Sequence, residues 1–71
     1  MTTIMVHYNE EKFDGINTFK VEHSKRHERI VDIVFEPEVN AIVLMYRRVD
    51  GVVECDDFYY IKDLLNIEVL E

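Results

Sequence analysis

A mostly β fold follows from three features of the sequence. Glycine and proline are confined to Gly15, Gly51 and Pro37, each placed where a turn would fall. The residues between them are β-branched and aromatic, the composition of strands. Apolar and polar residues alternate with period two through the middle of the chain. The expectation is one small antiparallel meander or half-open barrel of five to six short strands over residues 1–71, with one helical turn near Lys62 to Asn66.

The first strand is expected over Thr3 to Tyr8, with Ile4, Val6 and Tyr8 on one face. Asn9 to Gly15 is polar, ends in Asp14-Gly15 and reads as a loop. Ile16 to His23 is the second strand, in which Phe19 and Val21 alternate with Thr18, Lys20 and Glu22. Ser24 to Glu28 is charged and is expected to be irregular.

Ile30 to Glu36 and Ala41 to Arg48 flank Pro37-Glu38-Val39-Asn40. Proline fixes φ for a turn, and asparagine tolerates the left-handed region. A hairpin there pairs Phe35 with Ile42, Ile33 with Leu44 and Val31 with Tyr46. Asp50-Gly51 signals a second hairpin. A two-residue turn would pair Val49 with Val52, Arg47 with Glu54 and Tyr46 with Cys55. A helical turn and a short strand over Ile67 to Leu70 complete the chain. In outline, a strand, a single helical turn and a strand end the chain as they do in SH3-like barrels. That comparison concerns architecture alone.

This register places Val31, Ile33, Phe35, Ile42, Leu44, Tyr46, Val53 and Cys55 on a core face. The opposite face, with Ile30, Asp32, Val34, Ala41, Val43, Met45, Arg47 and Phe58, is more apolar than a solvated sheet face. Either the N-terminal strands or the helical turn cover it, or another chain does. A domain this small buries only about 60% of its unfolded surface, and neither a disulfide nor a zinc set reinforces it. Self-association as a homodimer, through the Val34, Val43 and Met45 face or a free strand edge, is therefore expected.

Composition excludes several classes. About half the chain is apolar (48%) and a third is charged (32%), as in folded domains. A net charge of −7 argues against a nucleic-acid coat protein. No run approaches the roughly 18 apolar residues of a membrane span, and no signal peptide opens the chain. The lone Cys55 suits a cytoplasmic protein.

No constellation reads as catalytic, so no enzymatic activity, metal or cofactor is expected. Ser24, the only serine, has no acid-supported histidine at a recognisable spacing. His23 and His27 are four apart, as helical metal ligands would be, but Lys25 and Arg26 between them oppose a cation. Asp56-Asp57 and Glu10-Glu11 are adjacent on strands, point to opposite faces and cannot act as dyads. Cys55 reads as an inert thiol in the core.

Charge is more informative. Residues 50 to 71 hold seven acids and one base, Lys62. Lys25, Arg26 and Arg29 gather with Arg47 and Arg48 at one end of the meander. The functional expectation is a small acidic interaction protein that binds and modulates a protein partner, as inhibitors and accessory proteins of phages and mobile elements do. Its candidate contacts are Val34, Val43, Met45, Asp56, Asp57, Arg29, Arg47 and Arg48. The alternative is a nucleic-acid-binding β domain using the basic patch, with tyrosines for stacking.

Overall fold

The computed structural model describes residues 2–71. Five strands form one antiparallel sheet: β1 (Thr2–Phe13), β2 (Thr18–Glu36), β3 (Ala41–Arg47), β4 (Val53–Tyr60) and β5 (Leu64–Val69). Their order across the sheet is β4-β3-β2-β1-β5. The strands on the two edges, β4 and β5, are consecutive in the chain. Only one 3₁₀ turn, Ile61–Asp63, separates them, so the sheet must curl until its edges approach. Contact across the curl confirms this: the rings of Tyr8 on β1 and Tyr59 on β4 lie 5.0 Å apart. The result is a single open, curled antiparallel sheet, the small β architecture with one helical turn that the sequence predicts, its helical turn slightly earlier than expected and its last strand starting at Leu64.

Curling gives the sheet an inner face, and the core sits there. Ile4 and Val6 from β1, Ile30 from β2, Ile42 and Leu44 from β3 and Tyr59 from β4 are buried together. Tyr8, Tyr46, Leu64 and Ile67 pack around them. Burying each of the larger aliphatic side chains contributes about 1.5–3 kcal/mol, so this cluster is what makes the curl stable.

The first hairpin of the meander has the predicted register. Phe35 faces Ile42 and Ile33 faces Leu44, and Asn40 takes the left-handed conformation with φ of 52°. The third expected pair does not form: Tyr46 faces Ile30, because the register shifts between Ile30 and Asp32 and bulges at Val31. A second irregularity lies nearby, where β1 advances two residues from Thr2 to Ile4 while β2 spans Ile30 to His27. Arg29 sits inside it at φ of 61°. Bulges bend and twist the strand that carries them. Here they let β2 pair with β1 through one half and with β3 through the other.

The second hairpin departs from expectation. Its turn is closed by bonds from the Gly51 amide to the Arg48 carbonyl (2.9 Å) and from the Arg48 amide to the Val52 carbonyl (2.8 Å). Gly51 has φ of 91°, while Asp50 is absent from the positive-φ residues. A type I′ turn needs positive φ at both central residues, so the loop contains Val49, Asp50 and Gly51 instead. The extra residue slips the adjoining pairs by one: Arg47 faces Val53, Tyr46 faces Glu54 and Met45 faces Cys55. A one-residue slip exchanges the faces of a strand. Val53 and Cys55, expected in the core, therefore stand on the outer face, and Cys55 is exposed. A bulge between Leu44 and Met45 reverses the slip, and Leu44 then faces Asp57.

Ile33 and Phe35 do lie on the core side, opposite Leu44 and Ile42, yet both are exposed, as is Val31. Pairing of β1 with β2 reaches only Ile30 among the described residues, and that end of the inner face is exposed.

The largest departure is at the N-terminal end. The segment Asn9 to Phe13, expected as a loop, continues β1, and Ser24 to Glu28 continues β2 without a break. Beyond Tyr8 and His23 these strands pair only with each other. They form a two-stranded arm closed at Gly15-Ile16. The arm accounts for a molecule 48 × 27 × 18 Å in extent with a radius of gyration of 13.9 Å, against about 11 Å for a compact chain of this length.

Candidate functional site

Three features stand apart from the core: a polar cluster on the inner face, an apolar outer face, and the arm. The inner cluster grows from the alternation of β2, which turns His23, Lys25 and His27 to one side. His27 is buried (4% exposed). Its Nδ1 lies 2.7 Å from Asp56 Oδ2 and its Nε2 lies 2.6 Å from the Tyr59 hydroxyl. The hydroxyl donates to Nε2, which leaves the ring proton on Nδ1 to be donated to the carboxylate; this tautomer is assigned from the partners. Lys25 Nζ reaches Asp57 Oδ2 at 3.0 Å. Asp57 thereby holds the Lys25 ammonium above its ordinary pKa. Burial, with the Asp57 carboxylate second, pushes the Tyr59 phenol well above its usual range. The His27–Tyr59 pair is buried and the Lys25–Asp57 pair is exposed, and together they pin β4 to β2 across the curl, while the buried Nε2 of His23 has no hydrogen-bond partner among the described residues.

The structure thus separates the expected charged contacts. Asp56 and Asp57 serve the inner network through His27 and Lys25. Arg26 pairs with Glu28 at 3.1 Å. The Arg29 guanidinium donates to the carbonyls of Arg47 (2.7 Å) and Arg48 (3.3 Å). Arg48 binds Glu54 at 2.9 Å and Asp50 at 2.8 Å. Arg29 thus lies against the main chain of Arg47 and Arg48 beside the second turn, while Lys25 and Arg26, expected in the same cluster, are engaged farther along β2 with Asp57 and Glu28.

Val34, Val43 and Met45 also come together. Val34 faces Val43, which faces Phe58, so the three form a row across β2, β3 and β4. Met45 and Cys55 form part of the row on one side of it, and Tyr60, opposite Ala41, part of the row on the other. Phe58 (51% exposed) and Tyr60 (44%) meet edge to face at 5.4 Å. The N-terminal strands extend the sheet sideways, and on this face Val34, Val43 and Met45 are half-buried while Phe58, Tyr60 and Cys55 are exposed.

Two arrangements escaped the sequence reading. Ser24 Oγ lies 2.7 Å from His7 Nδ1, and His7 Nε2 lies 3.3 Å from Glu68 Oε1. The order of groups is that of a hydrolytic triad, but they stand on an exposed sheet face, and Ser24 and His7 line none of the three main concavities. Only β5 docking beside β1 brings Glu68 within reach, a contact no local spacing encodes. The second is the arm tip, where Phe13 (70% exposed), Ile16 (85%) and Phe19 (44%) project into solvent. His23 and His27, four apart on an extended strand, are about 13 Å apart along it, and no three His, Cys, Asp or Glu side chains among the described residues converge as metal ligands do.

The fold and these surfaces define a small curled β domain with a projecting two-stranded arm. No protein-family model, curated protein or solved structure matches the chain. No helix among the described residues is long and apolar enough to cross a membrane.

Proposed function

We propose that the protein is a non-enzymatic interaction module that binds and modulates a protein partner, and that the arm is its principal contact. One observation carries this reading. A two-stranded hairpin is marginally stable alone in water, yet this one extends beyond the core and exposes Phe13, Ile16 and Phe19 at its end. These side chains are absent from the core cluster. Burial against a partner gives them a role. The lone free Cys55 suits a reducing, cytoplasmic setting.

The test is affinity capture from the source cell with wild-type protein and with Phe13→Ser, Ile16→Ser, Phe19→Ser combined. Wild type should retain a partner that the triple variant loses while its core melts normally. Capture of the same proteins by both removes the arm from the contact.

The apolar row Val34, Val43 and Phe58, half-buried at the two valines and exposed at Phe58, favours a second reading, self-association through the outer face as a symmetric dimer. Met45→Glu should then lower the sedimentation mass to that of one chain. A single-chain mass for wild type at tens of micromolar would exclude the dimer.

A further inference from the structure

The curled sheet is not closed. Between β4 and the base of the arm lies an open concavity of ≈ 330 Å³. Tyr8 and Tyr59 line it, their rings 5.0 Å apart, and Tyr60 flanks it. Three carboxylates, from Glu10, Asp57 and Asp63, are distributed around it. Glu10 is held by Lys12 at 3.1 Å and Asp57 by Lys25 at 3.0 Å. Asp63, on the 3₁₀ turn, has no ion-pair partner among the described residues.

Aromatic faces and carboxylates together select one chemical class. A cation over a tyrosine ring is attracted by its quadrupole, and an unpaired carboxylate beside it adds a direct charge partner. The chain's net charge of −7 favours approach by a cation and disfavours an anion. Strand β4 is outermost in the sheet, so its far edge offers main-chain groups to an extended segment.

We infer that this notch binds a lysine or arginine side chain carried on an extended segment of a protein partner, with the half-buried Tyr8 ring, stacked on His23 and backed by the buried Tyr59, beside it and Asp63 as its counter-charge. The inference rests on the protein-binding reading and names the chemistry of the partner.

The probe is a blocked peptide of alternating lysine and threonine, titrated into isotope-labelled protein and followed by amide chemical shifts. Shifts should concentrate at residues 8–10 and 57–63, and a peptide with glutamine in place of lysine should produce none. Asp63→Asn should weaken binding about three-fold to ten-fold, and Glu38→Gln on the distant turn should leave it unchanged. Tyr60→Ser, at an exposed position, should weaken it without altering spectral dispersion. Shifts spread evenly over Glu38, Asp50 and Glu71, or equal effects of Asp63→Asn and Glu38→Gln, would mean diffuse charge attraction and overturn the site. Arm-dependent capture that persists after such a result retains the protein-binding reading and discards only the basic segment.

Discussion

The phenol of Tyr59 and the imidazole of His27 meet at 2.6 Å inside the curl, 32 positions apart in sequence. Their bond spans from β4 to the centre of β2, strands that share no ladder. It therefore reports directly on whether the sheet is curled. Tyr59→Phe deletes the donor and leaves a buried ring nitrogen unpaired, which should cost about 1–3 kcal/mol. His27→Leu should cost a similar amount by stranding the Tyr59 hydroxyl. Urea unfolding of both variants and of their combination should give a double-variant cost clearly below the sum. Strict additivity would show that the two side chains do not act as a unit.

Alkali should open the same contact. Tyr59 has its folded pKa raised above the ordinary 10.0, first by burial and then by the Asp57 carboxylate. A raised folded value means the stabilisation is whole below pH 10 and is lost as pH climbs through the folded value. The urea midpoint of wild type should fall above pH 10, and phenolate absorbance should rise together with unfolding. Tyr59→Phe should flatten that dependence. An unchanged slope in the variant would assign the alkaline loss to other groups.

Acid should act at the arm tip. The Asp14 carboxylate accepts from the amides of Asn17 (2.7 Å) and Ile16 (2.9 Å), which hold its pKa below the ordinary 3.8. A depressed folded value means the turn is fully supported above pH 3.8 and loses that support as pH falls through the lower value. The Ile16 and Asn17 amide resonances should titrate with a midpoint under 3.8. Asp14→Ala should collapse the dispersion of the tip and spare the core resonances. Tip resonances that keep their dispersion in Asp14→Ala would deny the carboxylate this role.

Gly51 tests backbone strain alone. Its φ of 91° is unsuited to a β-branched residue, and an added Cβ would meet nothing within 4 Å. Gly51→Val should cost about 1–3 kcal/mol, a drop in Tm of roughly 4–8 °C per kcal/mol for a domain of this size. Val49→Thr, at a fully exposed neighbour, should leave Tm within about 2 °C. Equal melting of both variants would place the turn elsewhere.

Where one face of a strand meets the core, the sequence shows it. The pairs Phe35–Ile42 and Ile33–Leu44 and the left-handed Asn40 were legible because alternation and turn chemistry agree there. The arm was hidden for the converse reason. Both of its faces meet solvent, so Asn9 to Phe13 carries no alternation, and only cross-strand partners such as Glu11 and Lys20 betray the ladder. Ser24 to Glu28 misled because its inward side chains are polar, their partners Asp56, Asp57 and Tyr59 lying about thirty residues away. The second turn differed by a single residue, and that residue moved Cys55 from core to surface. Of the interaction surfaces, the apolar outer face could be read from local pattern. The aromatic and acidic notch could not, since it joins two distant segments, 8–10 and 57–63, that only the curl brings together.

The bend in β2 makes the arm a lever. Arg29 sits at the bend, and its guanidinium is fastened to the carbonyls of Arg47 and Arg48. From there to Ile16 is about 40 Å of extended chain. A rotation of about 10° at the bend would carry the tip through roughly 7 Å, the width of a side-chain pocket. One arginine bonded to the neighbouring turn thus sets the direction in which Phe13, Ile16 and Phe19 are presented. Changes in the 48–52 loop would be felt at the opposite end of the molecule.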